Sequence, residues 1–393
     1  MMKIVLTALM LALSVVCFTF SAALAETGVS DDEIVVGAIM NLTGPGAYGG
    51  NEITRGISTY FKTINDKGGV HGRKIKFVVE DNGYQVAKTQ AAYKKLKDRD
   101  GIFCMVGNIG SSPVESLFPL LERDEIPLIG SISVHTPEAI PRYVFPAYTP
   151  YRFQSKLIVD YIVDTLGDKQ PKIGVLRNTT DFGLRGLEGV QEQVKNYNGP
   201  QVVDVSFPPG AADVSAQVLK LKESGVDYVV YAGLMRAIAS ALMEARKIGW
   251  QPHWFSLNPG LSEHVIKISQ GAAEYGQGLK GTLNYSLLTD NQLSKEFIAN
   301  LQKYYPDKQP SVYAFAMGYG AGDMLAEGLR RAGKDLAREK LIAAMETFNG
   351  YNNGRLPPQT FGPGNRICSK KAYFVKAQDE KLVQMTDWME PKF

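Results

Sequence analysis

The hexapeptide GPGAYG, residues 44–49, satisfies the pattern G-x-G-x-x-G that surrounds a pyrophosphate in dinucleotide-binding proteins. An apolar run precedes it and a helical pattern, 53–65, follows. Pro45 removes one backbone N–H that would face the phosphates. The acidic residues that could bind a ribose, Glu80 and Asp81, lie about 31 residues beyond the motif instead of about 20. We therefore predict a glycine-rich turn between a strand and a helix, and no cofactor.

The sequence contains no constellation typical of catalysis or of a structural metal site. Neither HExxH nor GxSxG occurs, and no Cys or His residues stand at ligand spacing. We therefore predict that the protein is not an enzyme and holds no metal. Beyond residue 25 the cysteines are Cys104 and Cys368, which could form one disulfide or remain buried thiols. The four histidines are isolated from one another: His71, His135, His253 and His264.

Residues 1–25 have the composition of a secretory signal peptide. One Lys precedes an apolar core, 4–20, and small residues end the segment at Ala25. The apolar core is short and no polybasic flank follows it, which argues against a membrane anchor. Bulky Val residues before Cys17 argue against a lipoprotein. We predict export to the periplasm with cleavage after Ala25. Lys and Arg number 43 and Asp and Glu 40, and the net charge of +3 argues against nucleic-acid binding.

Cleavage leaves about 368 residues, more than one compact core usually contains. Unbroken apolar strands alternate with helical patterns over 33–130 and again over 172–257, and a Pro- and Tyr-rich passage, 141–153, separates the two series. Long helical patterns and two final strands follow. This rhythm predicts an α/β fold with two doubly wound parallel-sheet lobes. A ligand would bind in the cleft between the carboxyl ends of their strands.

Three segments are distinctive as a set: IVVGAIMNLTGPGAYGGNEITRGISTYFKTINDKGGVHGRKIKFVVEDN, MVGNIGSSPVESLFPLLERDEIPLIG and KIGVLRNTTDFGLRGLEGV. Together they resemble the periplasmic solute-binding proteins of branched-chain amino acid ABC transporters, the Leu/Ile/Val-binding type, and the likeness covers essentially the whole mature chain. The resemblance implies a type I periplasmic binding protein, whose lobes are joined by a three-strand hinge. The implied N-terminal lobe comprises 26–149 and 286–362, and the C-terminal lobe comprises 150–285 and 363–393.

The resemblance also implies contacts in the first lobe. Ser111 matches the family serine whose hydroxyl and amide hold the solute carboxylate, and a helix N-terminus favours an anion. Alternatively, Ser111 or Ser112 only caps the following helix. Tyr48 matches the family aromatic that closes over the solute, with a rim or core position as the alternative. The next contact loop falls on Ile132, Ser133 and Val134, within one residue, mostly through backbone groups.

In the second lobe, Phe182 and Leu234 occupy positions where family members have Tyr, although ordinary hydrophobic packing is the alternative for both. Pro259 replaces a Glu that binds the solute's ammonium group in typical members. The weaker candidates lie on the Pro- and Tyr-rich passage: Tyr148, Tyr151 and Arg152.

These observations predict a monomeric capture protein that delivers a small solute to an inner-membrane ABC permease. We expect a carboxylate with an apolar or aromatic body, because the carboxylate-binding serine is retained and the ammonium-binding Glu is not; a branched-chain amino acid-like solute is the alternative. Two other functional classes are the alternatives. A periplasmic enzyme lacks a nucleophile and base in a shared motif. A stand-alone ligand sensor that feeds a membrane signalling protein uses the same fold.

Overall fold

The computed structural model describes residues 26–44, 46–132, 140–258, 260–287, 292–307 and 312–392, with backbone only at 293, 312 and 313. The predicted signal peptide and the candidate contacts Ser133, Val134 and Pro259 lie outside these residues. Within them, no helix combines the length and the apolar character needed to cross a bilayer.

The first sheet has five parallel strands in the order β2-β1-β3-β4-β5. Most of β1 is buried, as expected for an apolar strand covered by helices on both faces of the sheet. The strands are β1 Glu33–Met40, β2 Lys74–Asp81, β3 Cys104–Val106, β4 Leu128–Ser131 and β5 Val144–Pro146. The helices between them are α1 Ala47–Asp66, α2 Val86–Asp98, α3 Ser111–Glu115 and α4 Phe118–Asp124.

Helix α1 begins at Ala47, earlier than the predicted start at residue 53. Gly46 precedes it with φ of 84°, a conformation that favours glycine. A Cβ on Gly50 would lie 2.2 Å from the carbonyl oxygen of Asn41, so the helix start packs directly on the end of β1. The glycines therefore serve a tight turn and a close backbone contact, and Tyr48 lies in the first helical turn rather than on a loop.

The second sheet has seven strands in the order β12-β11-β10-β9-β8-β6-β7. Strands β6 to β10 are parallel, and the terminal hairpin adds two antiparallel strands at one edge. The strands are β6 Ile173–Asn178, β7 Val202–Phe207, β8 Tyr228–Ala232, β9 His253–Ser256, β10 Lys280–Leu283, β11 Tyr373–Gln378 and β12 Lys381–Gln384. The helices are α5 Tyr151–Asp160, α6 Asp181–Lys195, α7 Ser215–Glu223, α8 Met235–Lys247 and α9 Glu263–Ile268.

The chain returns to the first sheet in α10 Gln292–Tyr304, α11 Val312–Ala332 and α12 Arg338–Met345. Helices α11 and α1 approach at backbone distance: a Cβ on Gly56 would lie 2.2 Å from the carbonyl oxygen of Phe315, and one on Gly318 would lie 2.0 Å from that of Ile53. This packing supports our proposal that 286–362 belongs to the first lobe.

Three connections join the two lobes, and they contact one another. The first leads from β5 to α5, the second from β10 to α10, and the third from α12 to β11. Thr149 on the first donates a hydrogen bond to the carbonyl oxygen of Lys371 on the third, at 2.6 Å. The hydroxyl of Tyr373 donates to the carbonyl oxygen of Tyr285 on the second, at 2.7 Å.

The two cysteines of the described chain are free and buried. Burial raises the pKa of the Cys104 and Cys368 thiols to about 12, so both remain protonated at neutral pH. Of the two alternatives that the sequence left open, the structure therefore has the free thiols.

Candidate functional site

A cavity of about 450 Å³ lies where the two lobes meet, within the size range of small-molecule sites. Asn41, Tyr84 and Ser111 contribute from the segments that follow β1, β2 and β3. Asn178 at the end of β6 and Leu234 after β8 contribute from the opposite wall. The cavity is thus built from the carboxyl ends of strands of both sheets, where open α/β folds bind ligands.

The structure brings part of the predicted contact set together. Four candidates line the cavity: Tyr48, Ser111, Phe182 and Leu234. The weaker candidate Tyr151 also lines it. Ser112 and Ile132 are described but do not belong to the lining, and neither do Tyr148 and Arg152. The contact roles of all these residues stay predictions.

The lobes touch each other across the cleft, so the structure shows a closed arrangement. The hydroxyl of Ser112 donates a hydrogen bond of 2.5 Å to Asp181 at the start of α6. The ring of Tyr48 stacks on the imidazole of His264, with centroids 4.3 Å apart. Stacking of this kind contributes about 0.5–1.5 kcal/mol beyond the burial of area. Both contacts join a first-lobe residue to a second-lobe residue.

Tyr84 is a cavity residue that the sequence did not reveal. Its φ of 64° is uncommon for a residue other than glycine, and strained backbone of this kind clusters at functional sites. Its N–H donates a hydrogen bond to Asn82 Oδ1 at 3.0 Å, and its ring packs against Gly110, where a Cβ would lie 3.2 Å from the ring. Burial raises the pKa of Tyr84, so the phenol is neutral.

Aromatic side chains form the apolar part of the cavity wall. Phe182 is 2% exposed and contacts Tyr151, with ring centroids 4.2 Å apart. Phe207, also in the lining, stacks on Tyr231. The hydroxyl of Tyr231 in turn donates to the carbonyl oxygen of Leu234, at 2.6 Å, and so fixes the loop that follows β8. Phe182 therefore combines core packing with a place in the cavity wall.

The charged side chain in the described lining is positive, and no negative one accompanies it. Among its described members Arg236 is charged, and no Asp or Glu is present. His264 also lines the cavity, and burial, followed by the charges of Lys267 and Arg236, lowers the pKa of its imidazole. His264 is therefore mostly neutral at pH 7. Arg236 and His264 were not among the predicted contacts; the only sequence signal for Arg236 is its place just after a strand.

A second ionisable group lies at the contact between the lobes. Glu115 on α3 is partly buried, and no described residue forms a hydrogen bond with its Oε1 atom. Burial, reinforced by the charge of Asp181, raises the pKa of Glu115 to about 7, while Arg185 opposes this shift. Both neighbours lie on α6 of the other lobe. Closure should therefore favour the protonated form of Glu115.

We expect solute affinity to fall about three- to tenfold between pH 5.5 and pH 8. An open cleft would return the pKa of Glu115 toward its ordinary 4.5, so closure takes up a proton. Protonation of Glu115 therefore favours closure fully below pH 4.5, and this effect is lost as the pH rises through about 7. The expected change in affinity is set at only about three- to tenfold because solvent screens this partly exposed carboxyl group. Calorimetric titration across this range would measure it.

The Glu115→Gln variant is the control for this pH dependence. Its affinity should change much less with pH, and any remaining slope reports the solute and His264. An unchanged slope in the variant would show that Glu115 does not titrate with closure.

The family model described as "Periplasmic binding protein" matches residues 33–381. One relative is the Leu/Ile/Val-binding protein homolog 3 of Brucella melitensis biotype 1, which is 28% identical over 335 residues, covering 82% of this chain and 84% of the relative. The leucine-specific-binding protein of Salmonella typhimurium is 26% identical over 250 residues, covering 63% of this chain and 67% of the relative.

Solved structures share the fold at lower identity. A fatty acid ABC transporter substrate-binding protein from Thermomonospora curvata superposes with a TM-score of 0.84 at 23% identity, covering 93% of this chain and 94% of the other. A branched chain amino acid ABC transporter protein from Thermus thermophilus with bound valine has a TM-score of 0.83 at 20% identity, covering 92% and 97%. The two-lobed α/β fold predicted from the sequence is confirmed. The chain belongs to the periplasmic binding protein family, a family of solute-binding proteins rather than enzymes, and is similar to its Leu/Ile/Val-binding members.

Proposed function

We propose that the protein is the extracytoplasmic solute-binding component of an ABC importer. It captures a small carboxylate-bearing solute in the cavity between the lobes and delivers it to an inner-membrane permease. Family membership supports the capture role, and the signal-like residues 1–25 support export to the periplasm with cleavage after Ala25. The monomeric state and the lobe boundaries predicted from the sequence are part of the same proposal.

The relatives leave two solute classes open. The Thermus thermophilus neighbour holds valine, which carries an ammonium group as well as a carboxylate. The Thermomonospora curvata neighbour is named for a fatty acid, which has a carboxylate and no ammonium group. Since the fold accommodates both classes, the choice for this chain depends on its own cavity.

The observation that carries our choice is the charge of the lining, which includes Arg236 and no carboxylate among its described residues. An ammonium group moved out of water without a counter-charge costs several kcal/mol. A carboxylate, by contrast, would find a guanidinium. Phe182 and Phe207 offer an apolar surface to the rest of the molecule. We therefore propose a carboxylate with an apolar or aromatic body rather than a free α-amino acid.

A thermal-shift screen of the mature protein tests this function. The panel contains leucine, isoleucine and valine beside aromatic acids and short aliphatic acids. A solute present at a thousandfold its dissociation constant adds about 4 kcal/mol to the free energy of unfolding, which raises the melting temperature by several degrees. We expect that shift from acids. A shift from the three amino acids and none from the acids would reverse the choice of solute class.

A further inference from the structure

We infer that Arg236 holds the carboxylate of the solute, so that the charged end of the solute points toward the second lobe. This orientation is opposite to the one that the family resemblance implies through Ser111. The inference rests on the proposed function and specifies how the same cavity recognises its solute.

Ser111 is poorly accessible in the closed cleft, since only 2% of it is exposed. The ring of Tyr84 packs beside it, because a Cβ on the preceding residue, Gly110, would lie 3.2 Å from that ring. Tyr84 is itself held in place, because its N–H donates to Asn82 Oδ1 at 3.0 Å. A solute carboxylate at Ser111 would have to compete with the ring of Tyr84 for the space beside this residue. Ser111 is thus a costly anchor in the closed cleft.

The guanidinium of Arg236 is available in a way that Ser111 is not. Arg236 lies in the first turn of α8, a helix of 13 residues, and lines the cavity with an exposed side chain. In the described part of the chain it forms neither an ion pair nor a hydrogen bond with another side chain. A guanidinium presents parallel N–H donors that match the two oxygens of a carboxylate. The adjacent helix N-terminus adds a favourable potential for an anion.

The charges near Arg236 also favour a negatively charged solute. Lys267 on α9 lies close enough, together with Arg236, to disfavour protonation of His264. The described lining contains the guanidinium of Arg236 and no carboxylate, so an arriving carboxylate meets a positive charge that no acidic lining residue offsets. With its charge at Arg236, the solute can direct its apolar body toward Phe182 and Phe207, which line the same cavity.

The test compares a carboxylic acid with its own primary amide. Affinities for 3-phenylpropanoate and 3-phenylpropanamide, and for 4-methylpentanoate and 4-methylpentanamide, are measured by calorimetry on the mature protein and on Arg236→Gln. We expect the unsubstituted protein to prefer each acid. Arg236→Gln should weaken acid binding roughly 10- to 100-fold and leave amide binding nearly unchanged. Arg236→Lys should retain part of the preference, because it keeps the charge and loses the paired donors.

Two controls use the same assay. Lys267→Gln removes a nearby charge from a residue outside the lining and should change the acid-to-amide ratio by less than about threefold. Ser111→Ala removes the hydroxyl that the family resemblance assigns to the carboxylate, and the ratio should persist. If Arg236→Gln retains the ratio, the inference is wrong, and loss of the ratio in Ser111→Ala would then place the carboxylate at the first lobe. If the unsubstituted protein binds neither acid, the proposed solute class itself fails.

Discussion

Replacing Leu234 by Asp is expected to weaken binding of a carboxylate solute by more than about a hundredfold. Leu234 lines the cavity and is the N-cap of α8, two residues before Arg236. A carboxylate introduced there would pair with Arg236 and repel the solute, and like charges placed face to face cost several kcal/mol. Asp is a favourable N-cap residue, so the helix should remain intact. Calorimetry with 3-phenylpropanoate measures the loss.

Leu234→Asn is the matched control, because it has the shape and capping ability of Asp without the charge. This variant loses only the apolar contact of the Leu side chain, and for a partly buried Leu that loss should lower solute affinity about tenfold or less. Equal affinities of the Asp and Asn variants would show that the charge of this wall does not select the solute.

The second large effect concerns stability. Gly56→Ala is expected to lower the free energy of unfolding by about 1–3 kcal/mol or more, because the new Cβ would lie 2.2 Å from the carbonyl oxygen of Phe315 and 2.7 Å from the backbone nitrogen of Tyr319. Backbone atoms of α1 and α11 cannot yield as a flexible side chain can, so the helices must separate. Chemical denaturation without solute measures this change.

Gly49→Ala in the same helix is the control. Outside its own helix, no atom of the described residues lies within 4 Å of a Cβ built at Gly49, so the substitution should be neutral or should stabilise the helix by about 0.5–1 kcal/mol. Similar destabilisation by both substitutions would contradict the close packing of α1 against α11. It would also remove the main support for assigning the 286–362 segment to the first lobe.

Strands were predictable from the sequence where each one is a long, largely apolar run. Strands β1 and β2 lie within the first predicted series, 33–130, and pair with each other over eight residues, Glu33 opposite Lys74 through Met40 opposite Asp81. Strand β5 lies in the Pro- and Tyr-rich passage and β10 lies beyond the second predicted series, and with three and four residues both are too short to give a periodic pattern. The early start of α1 was hidden by glycines, which disfavour helices and are required here by a backbone contact.

The site was predictable only in part, for a related reason. The family resemblance indicated Ser111, Phe182 and Leu234, and all three line the cavity. Tyr84 and His264 were not predicted, because Tyr84 packs beside Gly110 and His264 stacks on Tyr48, and each partner lies far away in the sequence. A sequence pattern indicates periodicity and turns, but it does not indicate which side chains contact each other across a cleft.

The most direct test of the proposed solute class is a matched pair of titrations. Leucine and 4-methylpentanoate differ by the ammonium group, as do phenylalanine and 3-phenylpropanoate. Calorimetry on the mature protein should show that each acid binds at least about tenfold more tightly than its amino acid, because the described lining offers the ammonium group no counter-charge. Tighter binding of leucine or phenylalanine than of the corresponding acid would contradict our account.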